Sequence, residues 1–212
     1  MKRALFAALL LAASALPAAA SSITIDSTNC NSGSGCYGLD WTLDVTAGSF
    51  TGVQGTYNYR ATLTIADDPL VPTASGGQII SAVTFKATTE VGTFELVTAP
   101  STGPWTTTAN NLSSGGCSGS GVGFICSSTL GQEAVTGSNP LQFVWYFNST
   151  DPGVGELGDT MHIGAKMTTI DPYVPGKLLS ASATVPEPSS LSLLGLGLLS
   201  LAAGARRRLK KN

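Results

Sequence analysis

The chain predicts an all-β fold, an antiparallel β-sandwich of jelly-roll-like character, and three observations carry that reading. Leu39, Trp41, Leu43 and Val45 alternate with Asp40, Thr42, Asp44 and Thr46, the period of a strand with one face in a core and the other in water. Tyr57, Tyr59, Ala61, Leu63 and Ile65 repeat the pattern against Asn58, Arg60, Thr62 and Thr64. Clusters of Gly, Pro, Ser, Asn and Asp punctuate the body, and no amphipathic helix stands out in it. Strands with one apolar face need a second sheet to cover them, hence a sandwich.

Before the first strand comes an export signal. Lys2 and Arg3 form a positive n-region, Ala4 to Leu16 an apolar h-region, and Ala18, Ala19 and Ala20 supply the small residues that a signal peptidase accepts. The expected signal peptide is therefore 1–20, with Ser21 as mature start. Cys30 and Cys36 then bracket a Gly/Ser-rich loop, as Cys117 and Cys126 do later. Four cysteines allow three pairings, and two local disulfides are the simplest in an exported chain. Zinc is the alternative, but the spacings are not those of a usual zinc site and the single histidine is remote from both pairs.

Beyond the two strands containing Trp41 and Tyr59, the expected strands are Ile79 to Thr89, Thr93 to Thr98, Leu141 to Phe147, Met161 to Ile170 and Leu178 to Val185. Trp41 and Trp145 should anchor the core. Ala99 to Gly123 and Ser149 to Asp159 read as loops, because they are rich in small polar residues with little to bury. The body is a single domain, 21–184, with no repeat or linker.

Charge and chemistry exclude several functions. All 13 acidic residues lie between Asp26 and Glu187 against four basic ones, Arg60, Lys86, Lys166 and Lys177, a net of −9 for that stretch. Such a body offers no footprint for nucleic acid. His162 falls on the polar face of its strand and reads as an exposed strand histidine. No Gly-x-Ser-x-Gly turn accompanies it, and Glu90 and Glu95 are unremarkable as a glycosidase pair. No catalytic residue and no enzymatic activity are expected. Asp151, Glu156 and Asp159 share a Gly/Pro-rich loop and are the candidates for a structural calcium, the one cofactor in view, although their spacing is not that of an EF-hand.

The last segment, 185–212, is of another kind. Val185, Pro186, Glu187 and Pro188 lead into an uncharged run from Leu191 to Ala205, followed by Arg206, Arg207, Arg208, Lys210 and Lys211. The prolines hold Glu187 on an extended stretch outside an apolar helix. The run reaches roughly 22 Å, short of the roughly 30 Å hydrocarbon core, a marginal span that the basic cluster would stop in the membrane with its end in the cytoplasm. The whole closely resembles the PEP-CTERM sorting signal of bacterial exported proteins. The resemblance implies processing by a membrane protease, an exosortase, near Pro186–Pro188, and a non-enzymatic surface or extracellular-matrix protein that begins as a membrane-anchored precursor. It covers only 185–211. For the body, binding of extracellular polysaccharide is an alternative, with Trp105 and Tyr173 as stacking candidates. Ice binding by its threonines is a weaker one, since regular Thr-x-Thr ranks are missing from the sequence.

Overall fold

The computed structural model describes residues 20–26, 30, 35–67, 78–100, 104–135, 140–151, 154, 160–169 and 174–184. Of the expected signal peptide 1–20, residues 1–19 lie outside these residues while Ala20 opens the first strand, and the tail from Val185 onward lies outside them too. Twelve strands follow in order: β1 Ala20–Ile25, β2 Leu39–Thr51, β3 Thr56–Asp67, β4 Gln78–Lys86, β5 Phe94–Thr98, β6 Trp105–Thr108, β7 Asn111–Ser113, β8 Gly116–Gly119, β9 Phe124–Val135, β10 Leu141–Phe147, β11 Thr160–Thr169 and β12 Val174–Thr184.

Ten of them form two antiparallel sheets, β1-β2-β3-β10-β5 and β12-β11-β4-β9-β6. Their apolar faces meet. Ile23, Trp41, Leu43, Leu63, Phe143 and Trp145 from the first sheet pack on Val83, Phe85, Ile125, Ile163 and Met167 from the second, all at most 1% exposed. The alternation in β2, β3, β10 and β11 is thus the alternation between core and outer face, and both expected tryptophan anchors are fully buried. A hydrogen bond joins the layers where Trp145 Nε1 donates to Ser127 Oγ at 2.8 Å.

The segment expected to be loop between Ala99 and Gly123 contains three strands. β6 pairs along the edge of β9, and Trp105 leans edge-on against Phe143 with ring centroids 4.8 Å apart. β7 and β8 form a hairpin that lies against β4, β9 and β11. On the outward side of those strands Thr84, Cys126 and Gly164 are buried. Backbone pairing, one tryptophan and the Cys117–Cys126 crosslink order a stretch whose small polar side chains show no strand alternation. β1 and β9 were also absent from the sequence-based strands.

Both expected disulfides are present. Cys30 and Cys36 are crosslinked, and Cys36 is fully buried in the core cluster with Leu39. Cys36, Tyr37 and Gly38 are all left-handed there (φ 49°, 59° and 73°), a conformation costing about 1–2 kcal/mol for each non-glycine residue, so the burial and the crosslink hold a turn that the local sequence disfavours. Cys117–Cys126 pins β8 to β9.

The registers place Ala20 opposite Thr46 and Thr184 opposite Thr160, while Lys86 lies opposite His162. Ala20 and Thr184 are therefore at the same end of the sandwich, on strands β1 and β12 that face each other along one edge. That terminal end also holds the β2–β3 turn and the segments after β4 and β10. Among the described residues no helix is long and apolar enough to cross a membrane.

Candidate functional site

The outer face of the first sheet is a polar grid built by register. Thr46 on β2, Arg60 on β3, Tyr146 on β10 and Glu95 on β5 stand side by side, and the next row is Asp44, Thr62, Val144 and Thr98. Thr24, Thr42, Thr64 and Gln142 make a third. The first two rows except Glu95, with Gln142 of the third, line a shallow open trough of about 590 Å³ bounded by Ala20 on one edge strand and Val97 on the other. Cross-strand ranks of threonine do exist, then, over β1 to β3, with Thr24 and Thr42 hydroxyls 3.4 Å apart. Asp44 and Arg60 interrupt them.

One margin of the trough is ordered by aromatic stacking. Phe50 stacks on Tyr146 at 5.3 Å between centroids, Tyr57 lies 6.1 Å from Tyr146, and the Arg60 guanidinium sits 5.3 Å from the centre of the Phe50 ring. A bulge in β2 between Ala47 and Phe50 brings that ring into place. Glu95 fastens the adjoining turn by accepting from the N–H groups of Val53 and Gln54 and from the Tyr57 hydroxyl, each at 3.1 Å. Above all the N–H of Gln54, then that of Val53 and the Tyr57 hydroxyl, hold the Glu95 carboxyl below the usual carboxylate range, against an opposing effect of burial. Burial first, and then Glu95, raise the Tyr57 phenol. A Cβ at Gly52 would crowd the Glu95 carboxylate and push it from the turn.

A second cleft, of about 390 Å³, opens on the other sheet between the β7–β8 turn and the strands beneath, with Ser81, Thr106, Ser128, Thr129 and Lys166 in its lining. At the terminal end a hydrogen-bond network ties three segments together. Asn58 and Ser149 exchange two hydrogen bonds, Asn58 Nδ2 to the Ser149 carbonyl at 2.8 Å and Ser149 N–H to Asn58 Oδ1 at 3.1 Å. The Thr88 and Ser149 hydroxyls meet at 2.9 Å, joining the two sheets.

The residues singled out in the sequence are dispersed. Asp151 Oδ2 accepts from the Thr89 hydroxyl at 2.8 Å, the Thr89 N–H at 3.1 Å and the Thr88 hydroxyl at 3.2 Å, so this carboxylate closes the network. Glu156 and Asp159, its proposed calcium partners, lie outside the described residues. Among the described residues no three His, Cys, Asp or Glu side chains converge as a metal site would need. Glu90 holds Thr150 through Oε2 and Ser149 through its carbonyl. His162 is half-buried instead of exposed: Nδ1 lies 2.8 Å from Ser182 Oγ, and Phe124 meets its ring edge-on at 5.6 Å. Burial, with the positive charge of Lys86 second, lowers its pKa. Trp105 is half-buried with its ring edge-on to Phe143, while Tyr173 lies outside the described residues.

Arg60, Phe50 and Tyr146 were not singled out by the sequence. Only the polar positions of the alternation hint at them, because their meeting depends on the pairing of β3 with β10, which are far apart in the sequence.

Val185, Pro186, Glu187, Pro188, Arg206, Arg207, Arg208, Lys210 and Lys211 all lie outside the described residues. Residues 184–208 match the family model of the PEP-CTERM protein-sorting motif. The match begins at Thr184, the last residue of β12. Neither the curated proteins nor the solved structures compared with the chain give a match.

Proposed function

We propose that this chain is an exported surface or extracellular-matrix protein whose tail delivers it to an exosortase and whose body is non-enzymatic. The observation that carries this is the sorting motif over 184–208 beginning where the folded strands end. In the proposed route, signal peptidase removes 1–20, the Leu191 to Ala205 helix and its basic end hold the precursor in the membrane, and cutting near Pro186–Pro188 frees the body for the cell surface or medium. The sandwich, jelly-roll-like in its crossings between sheets from β3 to β11, is then the displayed part. In support of a non-enzymatic body, Glu90, Glu95, Asp151 and His162 are each engaged in structural hydrogen bonds. A calcium ion bound through Asp151 would have to share its carboxylate with Thr88 and Thr89.

A second reading, binding of extracellular polysaccharide, is favoured by the open trough of hydroxyls, amide, charge and aromatic ring on the first sheet. Ice binding fits less well, because Asp44, Arg60 and Tyr146 break the threonine ranks.

The sorting route is tested in a strain that has the exosortase, by fractionation and blotting with antibody against the body. Glu187→Ala, or substitution of Pro186 and Pro188 together, should leave the precursor anchored and uncut. Replacing the five basic residues Arg206, Arg207, Arg208, Lys210 and Lys211 by Ser should let uncut precursor leak outward. Normal processing of the double proline variant would overturn the reading.

A further inference from the structure

We propose that the trough on the outer face of the first sheet binds a neutral polysaccharide chain, with Arg60, Asp44 and Gln142 reading its hydroxyls and Tyr146 supplying an apolar ring surface. This rests on the polysaccharide reading above and narrows it to one site and one class of glycan.

The shape selects a chain. The trough runs across five strands, a span of about 19 Å at the usual strand spacing, and it is open, so several linked sugar units can lie in it without an end group being recognised. Its volume is within the range of sites that hold a small ligand.

The chemistry selects hydroxyls. A sugar hydroxyl both donates and accepts, and a face that reads it needs both partners close together. Arg60 offers only donors and Asp44 only acceptors, on adjacent strands one row apart, and Gln142 offers each. Among the described residues Asp44 and Arg60 are not paired with each other or with another charge. The Arg60 guanidinium is already positioned over Phe50, which itself stacks on Tyr146, so less rotamer freedom is lost when ligand binds.

The charge gives a polyanion no advantage. Arg60 is the single basic residue on the strands of this sheet, against Asp40, Asp44, Asp67 and Glu95. Lys86, Lys166 and Lys177 all belong to the other sheet. In the trough itself Arg60 is balanced by Asp44, with Glu95 nearby, so a uronic-acid or sulfated chain would find no surplus of positive charge there.

The test uses the processed protein collected from producing cells, run on native gels containing hydroxyethylcellulose, galactomannan or dextran as neutral probes and alginate or polygalacturonate as acidic ones. Retardation by at least one neutral probe is expected, weakened about tenfold or more by Arg60→Ala, Asp44→Ala or Tyr146→Ala and unchanged by Lys166→Ala on the other sheet. Gln142→Ala and Thr62→Trp, at surface positions, keep the test valid if the Tyr146 variant misfolds; the second fills the trough. Retardation by acidic probes alone would overturn the neutral class and leave the polysaccharide reading standing. Undiminished binding by every folded trough variant would overturn the site. Retardation by none of the probes would overturn both.

Discussion

Ser127 shows how much a single small residue can hold. Its hydroxyl takes the Trp145 indole N–H at 2.8 Å and meets the Thr107 hydroxyl at 2.8 Å, so one buried oxygen joins the layers and the β6 edge. Ser127→Ala would leave a fully buried N–H without a partner, at a cost of about 1–3 kcal/mol. Urea unfolding should show that loss at unchanged slope, and Ser127→Thr, which retains a hydroxyl, should lose less. His162 supplies a second expectation. Its folded pKa lies below the ordinary 6.5, so the unfolded chain takes up the proton more readily. Its contribution to stability is fully present above that value and declines as pH falls through it toward the folded pKa. Unfolding free energies measured between about pH 5 and 7.5 should fall on the acid side, and His162→Gln should flatten that part of the profile. An equally steep profile in the variant would assign the dependence to other groups.

At the scale of the element, β10 was legible to the residue and β2, β3 and β11 nearly so, because each presents one apolar face to the core and one polar face to solvent. β9 was invisible for a physical reason. Ser127 occupies one of its inward positions, and its outward Cys126 is buried under the β7–β8 hairpin, so neither face shows the contrast that periodicity detects. The same holds for the trough. Its residues were written into the polar half of each alternation, but which of them stand side by side is decided by long-range register. The disulfides needed only short sequence separations and were legible. Cys117–Cys126 has a further role as the pin of the hairpin, worth about 2–3 kcal/mol in the loop-entropy view. Cys117→Ser together with Cys126→Ser should speed amide exchange across Asn111 to Gly119 while β2, β3 and β10 stay protected. Uniform loss of protection would mean that the hairpin is part of one cooperative unit with the sandwich.

For the whole molecule the position of the two ends matters most. Thr184 closes β12, and Pro186 follows two residues later, about 7 Å of extended chain. A protease reading Pro186–Pro188 must therefore work almost against the folded body. Insertion of about ten Gly/Ser residues after Thr184 should speed processing in a pulse-chase experiment without altering the cut site. A rate unaffected by the insertion would show that the body does not obstruct the protease.

The pairing of early strands with late ones also sets a clock on export. Asn58 finds its partner Asn148 across 90 residues, and β4 lies between β9 and β11, so the first sheet waits for β10 and the second stays unfinished until β12 has been threaded. Contacts this distant in sequence are slow to form and leave apolar edges bare in the meantime. β12, the outermost strand of its sheet, comes last, immediately ahead of the tail proposed above to halt passage. A membrane tether at that point would keep an unfinished sandwich apart from its neighbours until the final strand is in place, making the tail a guardian of folding as well as an address.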